Sequence, residues 1–164
     1  MKKDQGNIAC ILETFPKVGD VIEPESKKRI LSQCVNCIKE IPKTVESMPG
    51  YQLCLSLTTR IENPSERKWL LLAIARELPM SAEFHLLNLE VLSQSVRAAN
   101  AIEDPKLRKD TLLDIIHSLP EKEAFQPLFI EAMSHAIKAA DEIKDQQHRV
   151  HALIGLVDEI PRTP

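Results

Sequence analysis

The chain has 164 residues, enough for one domain to bury a sizeable core without disulfides or metals; with aromatic residues at only 4%, that core is read as helices packed by Leu, Ile and Ala. A formal net charge of −3, with no basic run longer than Lys27-Lys28-Arg29, excludes the strong positive field typical of a nucleic-acid binder. No stretch approaches the roughly 18–20 continuous apolar residues of a membrane span, and the apolar run from Ile8 to Leu12 meets Glu13 too soon for a secretion signal, so a cytoplasmic protein with four reduced cysteines is expected.

In chain order, Ile8, Ile11, Leu12 and Phe15 have helical spacing and are closed by Pro16, which predicts a short first helix over 6–15. A second helix is predicted from near Pro24 to Ile41-Pro42, with Ile30, Cys34, Val35, Cys37, Ile38 and Ile41 on its buried stripe. Pro42, Pro49 and Gly50 delay the third helix, which is expected from near Tyr51 to near Arg60.

From Ile61 onward one pattern returns every 41 residues, starting at Ile61, Ile102 and Ile143. Each start is followed by a capping residue (Asn63, Asp104, Asp145), then by an arginine (Arg67, Arg108, Arg149), and the unit closes on Leu78-Pro79, Leu119-Pro120 or Ile160-Pro161. Pro64 and Pro105 occupy the first helical position, where a missing N–H does no harm. Between these marks lie matching apolar positions, with Leu71, Leu112 and Leu153 in one set, Leu72, Leu113 and Ile154 in the next, then Ile74, Ile115 and Leu156. On this register Leu113 is expected at the buried centre. A second helix in each full unit carries Phe84, Leu87, Val91, Leu92, Ser95, Val96 and Ala99, or Phe125, Leu128, Ala132, Met133, Ala136, Ile137 and Ala140.

A fixed period of this length marks stacked helix pairs. The predicted fold is all-α, a right-handed α-solenoid of about eight antiparallel helices built as one domain over 1–164. Its parts are a half unit (1–21), a degenerate repeat (22–60), two full repeats (61–101 and 102–142) and a terminal half repeat (143–164). These residues resemble the two-helix solenoid repeat proteins, HEAT-like in unit length or tetratricopeptide-like, although the Trp-Leu-Gly-Tyr signature of the latter is absent. That resemblance implies a scaffold or adaptor that binds another protein or a peptide.

The chemical candidates are few. Cys34-x-x-Cys37, with Cys10 and Cys54, could supply four thiolates to zinc, but both members of the pair align with Leu or Ile of other units, so core packing is the reading adopted. Arg67, Arg108 and Arg149 could form a ladder for carboxylates or phosphates; repetition at a fixed period favours structural ties. His85, His117, His135, His148 and His151 form no metal or triad spacing, and no phosphate loop or nucleophile motif is present, so neither an enzyme, a metal nor a cofactor is expected.

The expected contact surface is the second-helix face around Leu89, Gln94, Arg97, Ile130, His135 and Lys138; Trp69, the only Trp, is read first as covering the joint with the degenerate first repeat and, if exposed, as an anchor for the partner. The alternative is a nucleic-acid or phosphate-ligand binder using Lys27, Lys28, Arg29 and the arginine ladder. Val150, Leu153, Ile154, Leu156, Val157 and Ile160 give the last helix, 146–160, a wide apolar stripe, which suggests a homodimer through it.

Overall fold

The computed structural model describes residues 2–20, 23–120 and 123–159, and among them every regular element is helical. Eight helices have eleven residues or more: α1 (Lys2–Thr14), α3 (Pro24–Lys39), α4 (Met48–Thr58), α5 (Pro64–Glu77), α6 (His85–Asn100), α7 (Pro105–Ser118), α8 (Gln126–Asp141) and α9 (Gln146–Asp158). A single turn, α2 (Lys17–Asp20), joins α1 to α3, and short 3-10 turns at Val45–Ser47, Ala82–Phe84 and Glu123–Phe125 lead into α4, α6 and α8. None of these helices is long and apolar enough to cross a membrane. The third closing pair, Ile160-Pro161, lies outside the described residues.

Side chains stop the helix starts from fraying. Asn63 Oδ1 accepts from the backbone N–H groups of Ser65 and Glu66, Asp104 from that of Leu107 and Asp145 from that of His148. Each satisfies donors that the first turn leaves without a helical partner. The N–H of His148, at 2.8 Å, is the main reason the Asp145 carboxyl is held below its usual pKa. The arginines tie the same loops: Arg67 Nε donates to Ile61 O at 2.7 Å, Arg149 donates to Ile143 O at 3.1 Å, and Arg108 pairs with Glu142 at the end of α8.

Two compact units, Met1–Ser95 and Val96–Pro164, divide the chain within α6. In the first, α1 packs on α3 and α4, and α5 packs on α3 and α4. Tyr51 is fully buried there, its ring meeting Phe84 edge to face with centroids 6.0 Å apart, while its hydroxyl donates to Glu77 O at 3.2 Å and Ile41 O at 3.4 Å. Burial, then the charge of Glu77, pushes the Tyr51 pKa up to about 12, so the phenol stays a donor. Asn88, 2% exposed, similarly donates to Pro79 O at the entrance of α6.

In the second unit α8 packs on both α7 and α9. Ala132, Ala136 and Ala140 on α8 and Leu112 and Ile115 on α7 have no solvent exposure, and such small residues let helix axes approach closely.

Several expectations need correction. Leu113 is half-buried and its equivalent Ile154 is 59% exposed, so the buried line of these helices runs through Leu112, Ile115 and Leu156. Ile137 is exposed on α8, and Ile8 and Leu12 are exposed on α1, where Ile11 and Phe15 make the core. The cysteines are not all free: Cys10 and Cys37 form a disulfide with their Cα atoms 6.0 Å apart, because α1 lies on α3 and sets Cys10 over the core position of Cys37. Cys34 and Cys54 remain buried thiols, each pushed up to about 12 chiefly by burial, which suits packing and not nucleophilic chemistry. The third helix starts before Tyr51, since Pro49 falls in its first turn, where no N–H is required.

Leu112→Ala should lower unfolding stability by about 2–5 kcal/mol through lost burial and the cavity left behind. Leu113→Ala should cost clearly less. Urea denaturation of the two variants checks the order, and equal losses would contradict the burial pattern.

Candidate docking groove around Trp69

The rotation of α5 is set by Leu70, Leu71 and Ile74, all with no solvent exposure, and by Leu72 at 5%. With these on the inner face, Trp69 must point outward, and it is 42% exposed. Ser65, Ala73 and Arg76 lie four before, four after and seven after Trp69, so they share its side of the helix. On α3 the buried line through Ile30, Cys34, Cys37 and Ile38 leaves Lys28, Leu31, Val35 and Lys39 on a second stripe.

Because α3 packs against α5, these two stripes bound a groove. Trp69 divides it. Toward the helix N-termini it opens into a cleft of about 630 Å³ lined by Pro24, Lys27, Lys28, Leu31 and Ser32 of α3 and by Ser65, Glu66 and Trp69 of α5. Toward the C-termini lies a shallower hollow of about 130 Å³ between Val35, Lys39, Trp69, Ala73, Arg76 and Glu77.

Cations outnumber carboxylates in the lining, with Lys27, Lys28, Lys39 and Arg76 against Glu66 and Glu77, although the chain is net negative. Both of its carboxylates have a lysine partner, Glu66 with Lys27 at 2.9 Å and Glu77 with Lys43 at 3.1 Å. Lys28, Lys39 and Arg76, all exposed, add further positive charge at its two ends. Partly exposed ion pairs of this kind add little to stability, on the order of 0–1 kcal/mol each. Their effect is to mute the two negative groups. Covering the exposed part of Trp69 would remove on the order of 100 Å² of largely apolar surface from water, worth about 2–3 kcal/mol.

The expected second-helix face is distributed differently. Leu89 and Gln94 lie on α6 in the first unit and are half-buried, with Gln94 donating to Glu90 at 3.4 Å. The most exposed large apolar residue on that helix is Leu86, at 77%. Arg97, on the same helix but in the second unit, is exposed. On α8, Ile130 is 65% exposed and shares its stripe with Ser134 and Ile137, while His135, half-buried and 4.0 Å from Glu131, sits round the helix from it; Lys138 is exposed on the flank.

No group of three or more His, Cys, Asp or Glu able to hold a metal occurs among the described residues. His117 meets Glu159 at 2.8 Å, and His148 meets Asp145 at 2.9 Å, beside the cap of α9. The arginine ladder is committed to loop carbonyls and Glu142.

In the sequence Trp69 stands out as the only Trp, at a position held by Asp110 and His151 in the other units; the structure sets it against α3 of the degenerate repeat and adds the groove beside it. The signal for it is the stripe Lys28, Leu31, Val35 and Lys39, which has helical spacing beside the buried stripe of α3; Val35, expected on the buried stripe, is only half-buried and belongs to this one. No protein-family model, curated protein or solved structure matches the chain.

The charge around Trp69 can be read by its fluorescence, since no other Trp contributes. Iodide should quench it more efficiently than caesium, and the difference should shrink in 0.5 M sodium chloride, about five times the salt at which the Debye length is ~10 Å. Equal quenching by both ions would contradict a positive groove.

Proposed function

We infer that the chain is a right-handed α-solenoid of two-helix, 41-residue units, HEAT-like or tetratricopeptide-like, that works as a protein-interaction scaffold or adaptor. The observation that carries this reading is Trp69, held 42% exposed at the mouth of a 630 Å³ cleft by a helix whose other face is fully buried. Large aromatic side chains in concave, partly apolar surroundings are where binding energy concentrates. The matching helix starts at Pro64, Pro105 and Gln146, and at His85 and Gln126, support the repeat.

A binding role is favoured over a catalytic one because the cleft offers Leu31 and Trp69 as apolar surface, while Cys34, Tyr51 and Cys54 are buried in the core and do not line it. A protein or peptide partner is favoured over a nucleic acid or phosphate ligand because the three repeating arginines are engaged and Glu66 and Glu77 line the groove. The cytoplasmic setting is part of the same proposal and bears on Cys10 and Cys37, which a reducing compartment would keep as thiols.

A photoreactive phenylalanine analogue replacing Ala73, Leu89 or Ile130 in turn tests which surface docks, since Ala73 lines the groove and its replacement leaves Trp69 in place. Illumination in lysate of the source cells should give discrete protein adducts from position 73 that are lost with Trp69→Ala. Adducts from 89 or 130 but not 73 would return the contact to the second-helix face, and none from any position would oppose an adaptor.

A second reading concerns α9. Val150, Ile154 and Val157, spaced four and three apart, are 47%, 59% and 64% exposed, and a Cβ on the neighbouring Gly155 would meet nothing within 4 Å. Two copies of this stripe related by a two-fold axis would cover each other, giving the homodimer through the C-terminal helix. Ile154→Asp should then convert the dimer to monomer with helical content unchanged, as read by light scattering and circular dichroism. A wild-type protein that is monomeric at high micromolar concentration contradicts this arrangement.

A further inference from the structure

We propose that the groove between α3 and α5 takes an acidic segment of a partner protein, seating one apolar side chain in the cleft beside Trp69 and its carboxylates against Lys28 at one end and Lys39 and Arg76 at the other. This rests on the docking reading above and names the class of ligand.

Three features of the groove select that class. Its floor is apolar where Leu31, Val35, Trp69 and Ala73 line it, so a ligand without an apolar side chain would leave that surface wet. Its charge is separated: Lys28 and Lys39 stand eleven residues apart on one helix, about 16 Å at 1.5 Å per residue, which matches carboxylates spread along a segment and not a single anion. Its carboxylates are already paired, Glu66 with Lys27 and Glu77 with Lys43, so an incoming acid meets muted negative charge, and a basic ligand would have to compete with those lysines.

The spacing of the cations argues against a nucleic acid strand. A phosphate backbone carries charge at short, regular intervals along its length, whereas apolar Leu31, Val35, Trp69 and Ala73 line the groove between Lys28 and the Lys39–Arg76 end. A peptide can hold its acids at the ends and its apolar residue in the middle. The cleft of about 630 Å³ is ample for one Leu, Phe or Met side chain with its flanking backbone.

The test uses the full chain and synthetic twelve-residue peptides of three charge types: acidic with a central leucine, the same with every carboxylate converted to amide, and a basic version. A polythymidine oligonucleotide is the fourth probe. Binding is followed by Trp69 fluorescence and by calorimetry. The acidic peptide should bind with micromolar affinity, at least tenfold tighter than its amidated form. Replacing its leucine by glycine, or Trp69→Ala in the protein, should weaken it at least tenfold, and K28E combined with R76E should abolish it while favouring the basic peptide. Circular dichroism reads whether each variant keeps its helices, and Lys28→Gln is the milder replacement should the double variant unfold.

The outcomes separate the two levels of the proposal. If amidated or basic peptides bind as well as the acidic one and need Trp69, the acidic class is wrong while docking at the groove stands. If the oligonucleotide binds and the peptides do not, the ligand is a nucleic acid. If no probe binds, or binding ignores Trp69→Ala, both the ligand class and the groove as a docking site are overturned.

Discussion

The orientation of α5 is the constraint from which the rest follows. Leu70, Leu71 and Ile74 are wholly withdrawn from water, and each such side chain is worth roughly 1.5–3 kcal/mol of burial, so rotating the helix to hide Trp69 would expose more than it covers. The start of the helix is held as well, by the Asn63 cap and by Arg67 on the Ile61 carbonyl. At its far end the backbone of Glu77 receives the Tyr51 hydroxyl. A half-exposed Trp on such a helix is a fixed feature of the surface, and fixed aromatic surface loses little conformational entropy when a partner covers it.

The second helix of the groove is held by different means. α3 buries Ile30, Cys34, Cys37 and Ile38, and α1 packs over it with Cys10 set beside Cys37. Cys34 and Cys54 fill neighbouring core space as neutral thiols. The cysteines thus act on the site at a distance, by fixing the helix that carries Lys28, Leu31, Val35 and Lys39.

What the sequence makes legible is what depends on neighbours along one helix. Asn63, Asp104 and Asp145 announce helix starts because capping is local, and Pro64 and Pro105 mark first turns for the same reason. That Leu113 is only half-buried and Ile137 and Ile154 are exposed is not legible: all three fit a helical apolar stripe, and only the packing of a second helix decides which edge of a wide stripe is covered. The Cys10–Cys37 bond escaped because it joins residues on different helices, while the spacing of Cys34 and Cys37 draws the eye to one. The groove escaped for the same reason: neither Lys28 nor Trp69 implies it until α3 and α5 lie side by side.

The central claim, that the α3–α5 groove is the docking surface, is tested most directly by mapping the amide resonances of the 18.5 kDa chain in two-dimensional nuclear magnetic resonance while the acidic peptide is added. The account predicts shifts confined to residues 24–39 and 64–77 and to the Trp69 indole N–H. Shifts centred on residues 85–100 or 126–141, with the indole signal unmoved, would contradict it.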